Sequence, residues 1–144
     1  MKQYHELTKE EKEQLLQFPA YISLLASTAE QGIDKAEKKA AVKLTHIKTF
    51  SCNPLLKDFY KDAEGIFEPT ISHLNKTLPH TRAERIEAIH QALANLEPLL
   101  KKMEPSFASV LRKSMQDYKH HVSKAHRNVL EYFIFPMPVS GITD

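Results

Sequence analysis

The stretch NPLLKDFYKDAEGIFEPTISHLNKTL, residues 53–78, decides the fold class of this chain. Asn53 is a favoured helix N-cap and Pro54 suits the first helical position, so the stretch begins as a helix. Its apolar side chains then recur every three or four residues, which is the spacing of one helix face. They are Leu56, Phe59, Tyr60, Ala63, Phe67, Ile71, Leu74 and Leu78. Gly65 and Pro69 interrupt the pattern and predict a kink or a break.

Helix starts and apolar stripes continue on both sides of this stretch. Three pairs of residues have the spacing of a capping box, in which the side chain three positions after the cap returns to the cap's amide. They are Thr8 with Glu11, Asp34 with Glu37, and Thr81 with Glu84. Pro19 predicts the start of a second helix directly after the first, and Pro98 predicts a bend near the end of the fifth. The longest helix is predicted from Pro105 to about Tyr132.

The composition agrees with a helical domain. The chain has 144 residues, of which 42% are hydrophobic, three are glycine and none is tryptophan. Sheet proteins use many glycines in their turns, and no segment alternates with period two for long enough to be a strand. The sequence therefore predicts an all-α fold, a single helical bundle of five to seven helices over residues 1–144, with a long C-terminal helix.

The C-terminal tail, residues 134–144, differs from the rest of the chain. Two prolines one residue apart exclude a regular helix there and favour an extended path, yet most of the side chains are apolar. Such a segment is expected to pack on the bundle and complete its core, or else on a second copy or another partner. Phe135, Pro136, Met137 and Pro138 are the candidate interaction residues.

The charge distribution restricts the partners. The formal net charge is +2, although residues 101–127 are cationic. Their basic residues are Lys101, Lys102, Arg112, Lys113, Lys119, Lys124 and Arg127, against Glu104 and Asp117. This stretch is expected to be a solvated helix face, with salt-sensitive binding of nucleic acid or of an acidic protein as the alternative. Nucleic acid is an unlikely partner, because no recognition motif or exposed stacking aromatic accompanies the charge.

The expected location is the cytoplasm. The N-terminus lacks the apolar core of a signal peptide, and no run of 18 apolar residues is long enough to span a membrane. The single cysteine, Cys52, excludes an internal disulfide and fits a reducing compartment. Cys52 precedes a helix start, where a thiol pKa can fall, so it is either a reactive thiol or a small buried side chain.

One pair of residues has the spacing of a bundle metal site. Glu87 and His90 form a Glu-x-x-His pair, and His90 is at the edge of the apolar stripe of the fifth helix, where it could point inward. Helical bundles bind di-iron and related centres through two such inward pairs with further carboxylates. A divalent metal at Glu87 and His90 is therefore an alternative to the interpretation of these residues as surface or partly buried side chains.

The turn between the second and third helices resembles that of a known family. The stretch AEQGIDKAE, residues 29–37, preceded by Leu24, Leu25 and Ala26, is similar to the Ala-Asp-Gly-x-Ile-Asp-x-x-Glu motif of the TerB-like family. Glu30 stands where the family has Asp, and Gln31 stands where it has Gly. The resemblance covers residues 14–48. It implies an all-helical fold, a link to tellurite resistance and stress responses, and divalent metal binding by Glu30, Asp34 and Glu37.

Capping explains the same turn without a metal, because Asp34 and Glu37 have the spacing of a capping box. The leading hypothesis is therefore a non-enzymatic cytoplasmic interaction or scaffold protein without a cofactor, with a protein partner or a homo-oligomer. The alternative is a metal-binding helical-bundle protein or metalloenzyme that uses a divalent metal.

Overall fold

The structure is a computed structural model that describes residues 1–26 and 35–134, and the side chains of 1–25, 35–49 and 51–120. The helices within these ranges are α1 (Lys9–Leu16), α2 (Phe18–Ala26), α3 (Lys35–Ser51), α4 (Lys57–Thr77), α5 (Arg82–Lys102) and α6 (Pro105–Ile134). Two short 3₁₀ turns, Tyr4–Glu6 and Pro54–Leu56, precede α1 and α4. The described residues form an isolated bridge between Lys2 and Met103 but no strand, which confirms the all-α bundle.

The predicted helix starts are formed in different ways. Thr8 and Glu11 make the complete capping box, because the Glu11 amide donates to the Thr8 hydroxyl at 3.1 Å and the Thr8 amide donates to Glu11 Oε1 at 2.9 Å. The box predicted at Thr81 is wrong, although the helix begins there. The Thr81 hydroxyl donates to Glu84 Oε1 at 2.9 Å and accepts no helix amide. The Asp34 cap lies outside the described residues.

Of the kink or break predicted at Gly65 and Pro69, the structure excludes the break, because α4 is continuous through both residues. A proline inside a helix removes the hydrogen bond to the carbonyl four residues earlier, which here is that of Gly65. Gly65 and Pro69 are both exposed, so water can solvate that carbonyl while the opposite face stays packed. Pro98 is likewise exposed inside the continuous helix α5.

Helix α6 packs against α2 and α3, and its Ser114 and Tyr118 contact Tyr60 and Phe67 of α4, so the core lies between these helices. The bulkiest fully buried side chains come from the stripes that the periodicity predicted in α4, α5 and α6, and include Tyr60, Phe59, Ile71, Ile89, Leu111 and Tyr118. Helix α3 runs antiparallel to α4, since Lys38 donates to Ser72 at 2.8 Å while His46 pairs with Glu64 at 2.6 Å.

The N-terminal segment fastens α4, α5 and α6 at one end of the bundle. The Lys2 amide donates to the Lys102 carbonyl, and the Glu104 amide donates to the Lys2 carbonyl, each at 2.8 Å. Tyr4 packs between Phe59 and Phe107, with ring centroids at 6.1 and 6.0 Å. This end of the bundle is therefore held by both backbone and aromatic contacts.

Candidate functional site

The start of α6 lies between two surface grooves. The first, termed the cationic groove, has a volume of about 490 Å³ and lies between the end of α5 and the first three turns of α6. It is lined by Leu100, Lys101, Met103, Pro105, Ala108, Ser109, Arg112, Lys113 and Gln116. The second, termed the N-terminal groove, has a volume of about 560 Å³. It is lined by Gln3, Tyr4, His5, Pro54, Leu55, Asp58, Glu104, Ser106 and Phe107.

The cationic groove has an apolar floor. Leu100, Met103 and Ala108 are buried and belong to the end of α5, the connection and the start of α6. The two backbone hydrogen bonds of Lys2 flank Met103 and hold this connection in place. The floor is thus a preformed apolar surface, as in most ligand and peptide sites.

The rim of the cationic groove is positively charged. Arg112 donates to both carboxylate oxygens of Glu97, at 2.6 and 2.8 Å, and this hydrogen bonding raises the pKa of Arg112 and lowers that of Glu97. An exposed pair of this kind adds little stability, but it orients the guanidinium at the groove edge. Lys113 is exposed and forms no ion pair with any side chain that the structure describes. Its charge is available to a partner.

The N-terminal groove combines an aromatic floor with an acidic rim. Tyr4 and Phe107 stack at its base. The Tyr4 hydroxyl donates to Asp62 at 2.7 Å, and burial together with this bond to a carboxylate raises the pKa of the phenol. At the rim, His5 Nε2 lies 2.8 Å from Asp58 Oδ2. The groove therefore presents carboxylates where the cationic groove presents ammonium and guanidinium groups.

The segment Pro54–Asp58, termed the corner, forms one wall of the N-terminal groove. Asn53 fixes its backbone, because the Leu55 amide donates to Asn53 Oδ1 at 2.9 Å and the Leu56 amide donates to the Asn53 carbonyl at 2.8 Å. Leu56 is buried and anchors the corner to the core. Leu55 is 50% exposed, so the corner projects a large apolar side chain beside the carboxylate of Asp58.

The buried ridge of α3 is polar, in contrast to the other helices. It consists of Glu37, Ala41, Thr45 and Thr49, which recur every four residues and are all buried. Tyr118 contacts this ridge, with its hydroxyl donating to the Ala41 carbonyl at 2.9 Å and touching the Thr45 hydroxyl. Tyr60 similarly pairs with Ser114. Burial raises the pKa of Tyr60 to about 12 and raises that of Tyr118 as well.

These buried hydroxyls require specific partners, so they fix the register of α3 against α4 and α6. The arrangement is an internal structural feature and has no opening to either groove among the residues that line them.

Of the predicted metal residues, the structure describes Glu37, Glu87 and His90. Glu87 and His90 are both exposed, so His90 does not have the inward orientation that the metal alternative requires. Glu37 is fully buried in the first turn of α3. Glu30 and Asp34 lie outside the described residues. Within the part of the chain that is described, no three His, Cys, Asp or Glu side chains converge as a metal site.

The predicted tail contacts of Phe135, Pro136, Met137 and Pro138 also lie outside the described residues. Cys52 is half-buried, and desolvation raises the pKa of its thiol above the ordinary value. A reactive cysteine needs a lowered pKa, so the structure favours the interpretation of Cys52 as a small packed side chain. No helix within the described ranges is long and apolar enough to cross a membrane.

The comparisons with known proteins add no relative. No family model, curated protein or solved structure matches this chain. The resemblance of residues 14–48 to the TerB-like family therefore stays a prediction.

Proposed function

We propose that this protein is a non-enzymatic interaction protein, and that the cationic groove binds an acidic segment of a partner protein. One observation carries the proposal: a preformed apolar floor lies beneath the positive charges of Lys101, Arg112 and Lys113. Apolar floors supply affinity in peptide sites, while rim charges supply orientation and association rate. A segment with alternating acidic and apolar side chains satisfies both parts.

The sequence supports a cellular setting for this proposal. The resemblance to the TerB-like family supports a scaffold role in a stress response, and the composition supports a cytoplasmic location. A net charge of +2 gives the molecule no strong overall field, so partner choice depends on the local charge at the groove.

A synthetic peptide of alternating Glu and Leu residues tests the proposal. We expect the peptide to bind with a Kd of about 10–100 µM, because a short segment covers less area than a full interface. Binding is expected to weaken with added salt, and backbone amide NMR signals of Ser109 and Lys113 are expected to shift. The substitution Lys113→Glu is expected to weaken binding about tenfold.

Lys39→Glu is the matched control, because Lys39 is exposed on α3 and makes the same change of net charge. An equal loss of peptide affinity for both substitutions would show that binding depends on net charge and would contradict binding at the cationic groove. Stronger binding of a single-stranded oligonucleotide than of the peptide would contradict the choice of a protein partner.

A divalent metal at the turn before α3 is the second candidate, and the buried carboxylate of Glu37 is the observation that favours it. A carboxylate in the first helical turn is also placed for capping, so the two roles need separate measurement. Among the residues that the structure describes, Glu37 has no further potential metal ligands that would complete a site with it. This candidate therefore rests on the family resemblance, which also names Glu30 and Asp34.

Metal analysis of untagged protein decides between the candidates. If a metal binds there, Mn²⁺ at one hundred times its Kd should stabilise the fold by about 3 kcal/mol, which is a shift in Tm of about 10 °C. Glu37→Gln should abolish this shift, and Glu87→Gln should leave it unchanged. A shift lost only in Glu87→Gln would move the site to Glu87 and His90. If the purified protein contained no stoichiometric metal and Mn²⁺ did not shift its Tm, the metal candidate would be excluded and the interaction protein would remain.

A further inference from the structure

We infer that the occupant of the cationic groove is the corner of a second copy of this chain, so that two copies exchange corners about a two-fold axis. The inference rests on the proposed function, because it names the partner that binds at the same groove.

The corner has the chemistry that the groove requires. Leu55 is among the few large apolar side chains exposed on the described surface, together with Met1, Ile47 and Ile66. Leu55 and Asp58 both line the N-terminal groove, so an apolar and an acidic side chain face the same side. Lys57 between them is exposed and does not line that groove. The corner thus carries the acidic and apolar groups that match the rim and the floor.

The corner is also preorganised for binding. The two hydrogen bonds to Asn53 and the burial of Leu56 hold its backbone before any partner arrives. A segment that is already ordered loses less conformational entropy on association than a flexible peptide of the same composition.

The arrangement of the two surfaces favours a closed pair. Pro105 lines the cationic groove while Glu104 and Ser106 line the N-terminal groove, so the surfaces adjoin across the start of α6. A copy related by a two-fold axis can therefore insert its corner while it receives the other, which buries both patches at once. In each half of this interface Leu55 meets the apolar floor of the groove beside the exposed ring of Pro105, and Asp58 approaches Lys113.

Analytical ultracentrifugation and light scattering of the full-length chain and its variants test the inference. The wild-type chain should form a dimer that dissociates on dilution. Leu55→Asp should weaken the dimer by about tenfold or more, because it places a carboxylate on the apolar floor. Ile47→Asp is the control, since Ile47 is a similarly exposed apolar side chain on α3 and should leave the dimer intact.

A charge exchange gives the more specific test. Lys113→Glu and Asp58→Lys should each weaken self-association by about tenfold. An equimolar mixture of the two variants should recover dimers of wild-type affinity, because the reversed charges face each other in one half and the original charges do so in the other. Such recovery cannot arise from misfolding of either variant.

The outcomes separate this inference from the proposed function. A wild-type chain that stays monomeric at millimolar concentration, yet binds the acidic peptide at Lys113, would overturn the dimer and leave the proposed function in place. A monomer that binds no peptide would overturn both. Dimers that survive Leu55→Asp, or a variant mixture without recovery, would show that the contact lies elsewhere.

Discussion

Raising the pH from about 9 to about 12 is expected to unfold this protein, because buried tyrosines retain their protons in the fold. Burial raises the pKa of Tyr60 to about 12, and burial also raises those of Tyr118 and Tyr4. A tyrosine in the unfolded chain loses its proton at about pH 10. Above that pH the unfolded chain binds fewer protons than the fold, so the free energy of unfolding falls as the pH rises toward the folded pKa values.

The expected loss is comparable to the whole stability of a domain. One pKa unit corresponds to about 1.4 kcal/mol, so a shift from about 10 to about 12 gives Tyr60 alone a loss of about 2 kcal/mol by pH 12. Tyr118 and Tyr4 act in the same direction, while domains of this size are stable by only about 5–15 kcal/mol. Helical circular dichroism and tyrosinate absorbance, followed together, should therefore change in a single cooperative step.

Tyr118→Phe is the informative variant for this titration. At neutral pH it should be less stable by about 1–2 kcal/mol, because it loses the bond to the Ala41 carbonyl. Above pH 10 its free energy of unfolding should nevertheless fall less steeply than that of the wild type, since one proton fewer is released. The chain has five tyrosines, so a rise in tyrosinate absorbance at about pH 10 that accounts for all five, with an unchanged helical signal, would contradict the burial of these phenols.

Most of the fold could be predicted from the sequence, because local signals and the core pattern agree in this chain. The apolar spacing of residues 53–78 and the Thr8 capping box each specify a helix without knowledge of its neighbours. The helix does not break at Pro69, which was one of the two outcomes predicted there, for a tertiary reason. Packing of the opposite face of α4 holds the helix together, and exposure lets water replace the missing bond, which the sequence alone does not reveal.

The candidate site could be predicted only in part. Lys101, Arg112 and Lys113 were visible as a cationic stretch because they are close in sequence. Leu55 and the acidic rim were missed, since the N-terminal groove joins residues more than 50 positions apart and no local pattern marks them. The position of His90 beside an apolar stripe left open whether it points inward, and the packed bundle leaves it exposed.

Arg85 is a buried charged residue in α5. Sequence periodicity could have indicated its burial, because Arg85 lies on the same helix face as the apolar residues Ile89 and Leu96. The side chain is 4% exposed, and its Nη1 donates to the carbonyls of Asn75 at 3.4 Å and Pro79 at 3.2 Å. Its Nη2 donates to the Asn75 side-chain oxygen. The guanidinium thus satisfies the C-terminal end of α4, where carbonyls lack helical partners and the helix dipole is negative.

Burial of the Arg85 guanidinium carries a desolvation free energy. Burial lowers the pKa of Arg85, and among the described side chains no carboxylate forms an ion pair with it. Its Nε is buried without a hydrogen-bond partner within the same residues. The contribution of Arg85 to stability therefore depends on the carbonyls that it satisfies and on the volume that it fills.

Arg85→Ala is accordingly expected to lower the free energy of unfolding by about 3–4 kcal/mol and Tm by about 10 °C, because it leaves a cavity and unsatisfied carbonyls. Arg85→Met keeps most of the volume and removes the buried charge, so it should lose only about 2 kcal/mol. Lys61→Ala, at an exposed position of α4, is the control and should change stability by less than about 0.5 kcal/mol. Urea unfolding of the three variants gives these values. If Arg85→Met proved more stable than the wild type, the desolvation of the cation would outweigh its hydrogen bonds, and the α4–α5 turn would not depend on Arg85.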